Sequence, residues 1–428
     1  MKIAMFTNTY LPHVGGVAKS IKTLEDECRL MGHEVRVVAP EFDGADVSSE
    51  VLRVPAIQHF NGSDFCVRLP VPNLIRDFMD DFQPDIIHSH HPFLLGDAAL
   101  RESWKMRVPI LFTHHTLYER YTHYVPLDSP ALKRVAVQIA TEYCNLCDLV
   151  ISPSQSISAL LLERGVTTPV EVLPTGIDTA RLSSGKGPTC RKSLGIPQDA
   201  KVIGHVGRLA MEKNLIYLAG AVAAFLDQDP KAVFLLVGDG DSKVQMLEFL
   251  AKRCDSSKIF HPGSLAGDAL VDAYAAIDCF AFSSQTETQG LVLAEAMAAG
   301  KPVVALDGPG VRDIVRSGVN GLLLDSGATE AEFARALLRI ISDPDHSENL
   351  STAASSSAKH YDVGRCVGRM LRIYARLIED GDRVALGDPT QWDRVISGVE
   401  IEWELLTAKM SAAAAALVET EVREVRLD

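Results

Sequence analysis

Residues 279–300 read CFAFSSQTETQGLVLAEAMAAG, which is an apolar run, a polar loop and a helix-like segment in direct succession. The run Cys279–Phe282 predicts a buried strand, and the segment that begins near Gly290 predicts a helix. Glu287 falls in the loop and Glu295 inside the helix, with seven residues between them. Because a loop carboxylate and a carboxylate roughly two turns into the next helix can face one cleft, this stretch predicts a ligand site.

The chemistry of that site suits a nucleotide sugar. Carboxylates accept hydrogen bonds from hydroxyl groups, so one acid can hold the sugar and the other the ribose. The free amides at the helix N-terminus, near Gly290 and Leu291, can meet the phosphates. The stretch therefore predicts a site for an activated sugar.

The same alternation of short apolar runs and helical stretches continues through the chain, which predicts parallel sheets with helices on both faces. A Ser-, Gly- and Pro-rich linker candidate, residues 182–188, interrupts it. We expect an α/β protein with two doubly wound, Rossmann-like domains facing across a cleft, residues 1–185 and residues 186–386. The helix near residues 362–380 is expected to close the second domain, and a helical extension, residues 387–428, to pack back on the first. The strand candidates are residues 3–6, 35–38, 86–87, 110–112, 149–151, 202–207, 234–237, 280–282 and 303–306.

Composition narrows the class of protein. The chain has 428 residues, 47% of them hydrophobic, and a formal charge of −14, which argues against nucleic acid as a partner. Its eight cysteines fit a reducing cytoplasm, and the lone pair Cys144 and Cys147 lies in a helix-like segment that favours packing over metal binding. No segment reaches the ~18 apolar residues that a bilayer span needs. We expect a cytoplasmic protein.

Two further groups follow predicted strands directly. Arg208 and Lys213 follow the run 202–207, and they can converge on a diphosphate through forked hydrogen bonds and a mobile charge. Gly15 and Gly16 follow the first strand and open a helix, where a backbone can approach an anion. These glycines do not form the Gly-x-Gly-x-x-Gly fingerprint, which lowers the case for a dinucleotide.

Histidines and aspartates also lie at strand ends. His114 and His115 follow one predicted strand, and His88, His90 and His91 follow another. No carboxylate or cysteine accompanies them at a recognised spacing, so zinc is disfavoured. Asp239 and Asp241 could pair on magnesium, but a glycine-flanked turn explains them more simply. We expect no metal and no cofactor.

Taken together, these motifs resemble the family-4 retaining glycosyltransferases of GT-B fold, from Met1 to about Asp380. Bacterial diacylglycerol glucosyltransferases are the most similar members, through residues 6–12, 113–124 and 286–290. The resemblance implies that residues 1–185 bind the acceptor and residues 186–386 the nucleotide sugar, with donor binding by Arg208, Lys213, Glu287 and Glu295. It also implies that His115 lies beside the reacting sugar, Gly16 near the diphosphate, and the backbone of Gly263 and Leu265 at the base. The motifs that carry it are Glu287 with Glu295, Gly207-Arg208 with Lys213, Gly15-Gly16 and residues 174–178.

The expected reaction is transfer of a hexose, glucose from UDP-glucose, to a hydroxyl acceptor with retention and without a metal. Catalysis is assigned to His115, Glu287, Arg208 and Lys213. Diacylglycerol is one acceptor, and a phosphoinositide, a sugar or a small alcohol are the alternatives. Residues 1–185 carry a formal charge of −6, from five Lys and eleven Arg against twelve Asp and ten Glu, so peripheral contact with the inner membrane face stays open. An epimerase and a non-catalytic nucleotide-sugar sensor are the alternatives of other classes, and the oligomeric state is left open.

Overall fold

The structure is a computed structural model that describes residues 1–12, 15–42, 44–45, 48–57, 67–68, 72–120 and 130–380. The predicted extension 387–428 lies outside the described residues, and so do residues 121–124 of the segment 113–124 that carries part of the resemblance. Within the described residues, no helix combines the length and apolar character that crossing a membrane requires.

The first half of the chain forms a seven-stranded sheet with the order β3-β2-β1-β6-β7-β8-β9, and every neighbouring pair in it is parallel. A small antiparallel pair, β4 and β5, lies apart from it. The strands are β1 (Lys2–Phe6), β2 (Glu34–Pro40), β3 (Val51–Val54), β4 (Ala56–Ile57), β5 (Val67–Arg68), β6 (Ile86–Ser89), β7 (Ile110–Thr113), β8 (Leu149–Ser152) and β9 (Val170–Val172).

Helices cover both faces of this sheet, as the continuous apolar runs of its central strands require. Helix α1 shows the pattern, because Ala18, Ile21 and Cys28 are buried at helical spacing against the sheet. The helices are α1 (Gly16–Leu30), α2 (Pro72–Phe82), α3 (Leu95–Met106), α4 (Pro130–Asn145) and α5 (Gln155–Glu163). Cys144 and Cys147 are buried in the core between the sheet and its helices, as expected.

The second half repeats the architecture with a parallel sheet of order β12-β11-β10-β13-β14-β15. The strands are β10 (Lys201–Val206), β11 (Ala232–Val237), β12 (Ile259–Gly263), β13 (Cys279–Phe282), β14 (Val303–Leu306) and β15 (Gly321–Leu324). The helices are α6 (Thr179–Ser183), α7 (Gly187–Leu194), α8 (Leu215–Leu226), α9 (Lys243–Ala251), α10 (Gly267–Ala276), α11 (Leu291–Ala298), α12 (Val311–Ile314), α13 (Glu330–Ile341) and α14 (Pro344–Ala358). Two buried apolar clusters sandwich this sheet.

The linker expected at residues 182–188 is instead packed structure. Helices α6 and α7 contact α10, and α6 also contacts α11, so both belong to the second domain. A side chain at Gly185 would lie 2.5 Å from the Val271 carbonyl oxygen, which shows how tightly this segment packs. The glycines that suggested a linker serve close approach, and the chain leaves the first sheet before residue 178.

The last described helix, α15 (Val363–Asp380), does not close the second domain, contrary to the expectation from sequence. Val367, Met370, Ile373 and Tyr374 are buried in the core of the first domain, beside α1. The chain therefore crosses between the domains twice. The two crossings run side by side, because the Ile177 amide donates to the Tyr361 carbonyl at 2.7 Å and the Val363 amide donates to the Ile177 carbonyl at 2.9 Å.

Candidate active site

The strand order places the predicted site residues at two topological switch points. In the first sheet the order reverses between β1 and β6, and in the second between β10 and β13. Ligands of doubly wound sheets bind beyond the carboxyl ends of the strands at such points. Gly15 and Gly16 follow β1, Arg208 and Lys213 follow β10, and Glu287 follows β13. All of them lie where a bound ligand is expected.

Lys213 and Glu287 form an ion pair at the second switch point. Lys213 ends a short 3₁₀ turn after β10, and its Nζ lies 2.6 Å from Glu287 Oε1. Burial disfavours the charged carboxylate, but the Lys213 ammonium, its hydrogen bond and a hydrogen bond from Ser284 outweigh burial, so the pKa of Glu287 is lowered. Glu287 is therefore an ionised acceptor that can hold sugar hydroxyls.

Glu295 lies inside α11, whose other residues are apolar and mostly buried. The Tyr274 hydroxyl donates to Glu295 Oε2 at 2.7 Å, and Oε1 pairs with the Lys19 ammonium from helix α1 of the first domain. Only 5% of the Glu295 side chain is exposed, against 54% of the Lys19 side chain. The carboxylate is fixed on one side by a buried phenol and contacts a lysine of the opposite domain with the other.

Arg208 pairs with Glu212 four residues later, and the Glu212 side chain is only 4% exposed. The Thr286 hydroxyl donates to the Glu212 carbonyl at 3.3 Å. This bond joins the loop between β13 and α11, here called the donor loop, to the turn that carries Arg208 and Lys213. Arg208 and Lys213 thus each hold a separate carboxylate. Arg208 keeps 40% of its side chain exposed for a ligand.

Glycines shape the helix N-termini at the cleft. Gly15 caps α1 in an extended conformation, and a side chain at Gly16 would meet no atom within 4 Å. Gly290 is the N-cap of α11, directly before its first residue Leu291. Its φ of +80° lies in the left-handed region that favours glycine. These backbones can present amides to an anion.

Gly263 is the last residue of β12, which lies beside β11, and Leu265 follows that strand. Gly263 adopts φ of +84° and its carbonyl accepts from the Gly238 amide at 2.9 Å. Leu265 is partly buried against the core of the second domain. This strand end is available to a base, but no contact in the structure assigns it that role.

The histidines at the ends of β6 and β7 pair with one another. His90 Nδ1 lies 2.9 Å from His115 Nε2, and His88 bridges Tyr374 and Thr113 at 2.6 and 2.7 Å. Burial lowers the pKa of His90 and of His115 well below the ordinary value, and neighbouring imidazoles add to the effect. His115 is therefore neutral, suited to hydrogen bonding with a sugar. Among the described residues, no three His, Cys, Asp or Glu side chains are grouped to hold a metal ion.

Three residues that contact the predicted site residues were not predicted from the sequence. Lys19, Tyr274 and Glu212 each contact a predicted site residue. Glu212 could have been found from its spacing, because it follows Arg208 at i+4. Lys19 lies one turn after Gly15, but its approach to Glu295 depends on how the two domains meet. Tyr274 lies on a different helix from Glu295 and carried no local signal.

Two Rossmann-like domains with the predicted site residues at both switch points are typical of the GT-B fold. Comparison with known proteins assigns the family. The model described as Glycosyltransferase Family 4 matches residues 14–181, and the model described as Glycosyl transferases group 1 matches residues 188–357. The chain belongs to the family-4 glycosyltransferases, as the motifs predicted.

Individual relatives cover most of the chain. It is 30% identical over 376 residues to the alpha-monoglucosyldiacylglycerol synthase of Acholeplasma laidlawii, across 84% of this chain and 93% of that one. It is 29% identical over 397 residues to a GDP-mannose-dependent alpha-mannosyltransferase of Corynebacterium glutamicum, across 90% and 91%. The crystal structure of Anabaena HepE with UDP-glucose superposes with a TM-score of 0.68 at 21% identity, across 88% and 100%, which supports the GT-B fold.

Proposed function

We propose that this glycosyltransferase moves glucose from UDP-glucose to a hydroxyl acceptor, with retention of configuration and without a metal ion. The observation that carries the proposal is the placement of ionised Glu287 and buried Glu295 on either side of the α11 N-terminus. Glu287 accepts from the sugar hydroxyls, Glu295 accepts from the ribose hydroxyls, and the α11 amides meet the diphosphate between them.

The cations stabilise the leaving group. As the bond between the anomeric carbon and the phosphate oxygen breaks, negative charge grows on the diphosphate. Arg208 and Lys213 lie at the strand end beside it, and preorganised charges of this kind are commonly the largest catalytic contribution. Their charge makes a divalent cation unnecessary, so activity should persist in EDTA. Abolition of activity by the chelator would contradict this part of the proposal.

Retention follows from attack on the same face. The acceptor oxygen bonds to the anomeric carbon as the phosphate oxygen leaves, and that phosphate oxygen takes the acceptor proton. Neutral His115, hydrogen-bonded to His90, is assigned to orient the sugar. Proton NMR of the product tests the stereochemistry: an anomeric coupling that matches the donor supports retention, and the opposite coupling contradicts it.

The donor is proposed from two relatives. The Acholeplasma relative is named as a glucosyldiacylglycerol synthase, and the HepE structure contains UDP-glucose. The Corynebacterium relative is named for GDP-mannose, which makes GDP-mannose the competing donor. Calorimetry with UDP-glucose and GDP-mannose, followed by mass spectrometry of the products, discriminates them; preference for GDP-mannose would overturn the proposed donor.

The acceptor is proposed to be diacylglycerol at the cytoplasmic face of a membrane. The first domain carries a groove of about 370 Å³ next to the Glu119–Arg164 ion pair, a ligand-sized volume. Three cations and two carboxylates line it, so its lining carries a formal charge of +1 within an acidic domain: Lys133, Arg134 and Arg164 against Glu119 and Glu142. Flotation with vesicles of phosphatidylglycerol and diacylglycerol tests the assignment. Transfer to soluble alcohols without vesicle binding would favour a soluble acceptor.

A further inference from the structure

The side chain of Gln289 joins the donor loop to the segment that leaves the first domain. Its Oε1 accepts from the Thr175 amide at 2.8 Å, and its Nε2 donates to the Thr175 carbonyl at 2.9 Å. The two bonds reproduce the pairing of a strand with one residue of its neighbour. Gln289 is only 5% exposed. Water therefore does not readily substitute for this pairing, and both polar groups of the amide are satisfied.

Thr288 is docked on the first domain as well. Its hydroxyl donates to the His115 carbonyl at 2.8 Å, and its own carbonyl accepts from the Ser154 hydroxyl at 2.7 Å. The two residues that separate Glu287 from Gly290 are thus held by residues that follow β7, β8 and β9. The donor loop takes its shape from the opposite domain.

Gly310 packs against the other side of the donor loop. A side chain at that position would lie 2.8 Å from the Gln289 amide nitrogen, and Gly310 itself has φ of +71°. The loop is therefore confined between the Gly310 backbone and the first domain. Thr175 is in turn tied to α1, because its hydroxyl lies 2.8 Å from the Ser20 hydroxyl.

We propose that Gln289 is a positioning residue that makes assembly of the donor site depend on the arrangement of the two domains. Its two hydrogen bonds to Thr175, which we call the grip, fix the path of the chain from Glu287 to the N-terminus of α11. When the domains separate, these bonds break. The sugar-binding carboxylate and the phosphate-binding amides are then no longer held in fixed positions relative to each other. This inference rests on the proposed function of Glu287 and α11, but the grip itself exists whether or not that function holds.

Hydrogen exchange tests the grip without any ligand. Gln289→Met keeps the length of the side chain and removes both hydrogen bonds. Because the Thr175 amide donates to Gln289, its exchange should accelerate by about tenfold or more in this variant. The matched control is Gln285→Met, since Gln285 lies in the same loop but donates to Ser326 within the second domain at 2.7 Å. Unchanged Thr175 exchange in Gln289→Met, or equal acceleration in the control, would overturn the proposal.

Kinetics test the consequence for the donor site. In Gln289→Met, kcat/KM for the sugar nucleotide should fall on the order of 10- to 100-fold, as expected for a misplaced reacting group. The affinity for uridine, whose ribose is assigned to Glu295, should change less than about threefold, because that carboxylate is held by Tyr274. Equal losses in uridine affinity and in kcat/KM would show general damage and contradict positioning.

Gln289→Glu is a second variant that tests the proposal if Gln289→Met does not fold. It keeps the shape of the side chain, but it loses the donor and sets a buried carboxylate oxygen against the Thr175 carbonyl, so exchange of the Thr175 amide should accelerate in this variant too. Exchange at the wild-type rate in Gln289→Glu would count against the proposal. Wild-type protein that binds no sugar nucleotide would refute the proposed function, and the exchange experiment would still decide on the grip.

Discussion

Lys19 of the first domain and Glu295 of the second form an ion pair across the cleft. Glu295 is the carboxylate assigned to the ribose, so the ammonium and the ribose hydroxyls compete for one acceptor. Because 54% of the Lys19 side chain is exposed, water can solvate its ammonium when the pair opens, whereas the Glu295 side chain is only 5% exposed. The ion pair joins the two domains, and under the proposed function a bound ribose would take the place of Lys19 at Glu295.

Removing Lys19 should therefore strengthen nucleoside binding. In Lys19→Met the internal competitor is lost, and uridine affinity should rise by up to about 1 kcal/mol, the usual range for exposed ion pairs. Isothermal calorimetry measures the change. Lys22→Met, which removes a cation of the same helix that pairs with Asp26, is the control. Weaker binding in Lys19→Met would identify Lys19 as a ligand of the donor instead.

Removing Glu295 should have the opposite effect. Glu295→Ala leaves two ribose hydroxyls without an acceptor, and UDP binding should weaken by roughly 1.5–3 kcal/mol. Glu295→Gln keeps an acceptor for the Tyr274 hydroxyl and should lose less. An unchanged UDP dissociation constant in the alanine variant would contradict the ribose assignment.

Arg208 is assigned to the leaving diphosphate. Arg208→Ala should lower kcat/KM by ~100-fold or more, about 2.7 kcal/mol of transition-state stabilisation. Arg312→Ala provides a control on the same domain, because Arg312 is a half-exposed arginine paired with Asp307. Near-normal turnover in Arg208→Ala would remove this residue from the site.

The ion pair of Lys213 with Glu287 gives a stability prediction. The folded pKa of Glu287 is lowered, so its contribution is fully present above the unfolded pKa of ~4.3 and is lost as the pH falls through the folded value. Lys213→Met should destabilise the protein at pH 7 by roughly 2–3 kcal/mol, because the carboxylate is left mostly buried without its partner. Urea denaturation at pH 7 measures this loss, and an unchanged midpoint would contradict it.

Buried histidines should make the protein sensitive to mild acid. Burial lowers the pKa of His88 and His91 to about 3 and of His114 and His205 to about 4. The unfolded chain takes up these protons near pH 6.5 and the folded chain does not. Stability should thus fall by ~1.4 kcal/mol per group for each pH unit between 6.5 and the folded pKa of that group.

The variant His114→Phe isolates one of these groups. Neither ring nitrogen of His114 has a hydrogen-bond partner among the described residues, and the ring packs edge-on against Phe112 and Tyr118. Replacing it should leave stability at pH 7.5 unchanged or higher. The slope of stability against pH between 6 and 5 should become shallower by about one proton. An unaltered slope would contradict the buried, neutral assignment.

The sequence predicted the central strands of both sheets and missed the edges. All nine predicted strands are present, since each is a mostly apolar run that is largely buried. The strands that were missed in the two parallel sheets are β3, β9, β12 and β15, and each is an edge strand. Edge strands are only partly covered, so VEV in β9 and IFHPG in β12 carry no long apolar run.

Candidate site residues could be predicted where the pattern lies within one short stretch of sequence. Glu287, Arg208 and Lys213 were identified because loops after strands can be read from the order of residues. Lys19 and the grip of Gln289 on Thr175 were not, because each joins residues more than a hundred positions apart. The same reason explains α15, whose amphipathic pattern indicates a buried face but not which sheet covers it.

The return of α15 to the first sheet has a practical consequence for dissecting the protein. A fragment cut near residue 185 would expose the apolar surface that Met370 and Tyr374 cover, and it would carry α6 without its natural neighbours. A self-sufficient acceptor half should instead join residues 1–177 to residues 363–380 through a short artificial bridge, and the donor half should span residues 178–362.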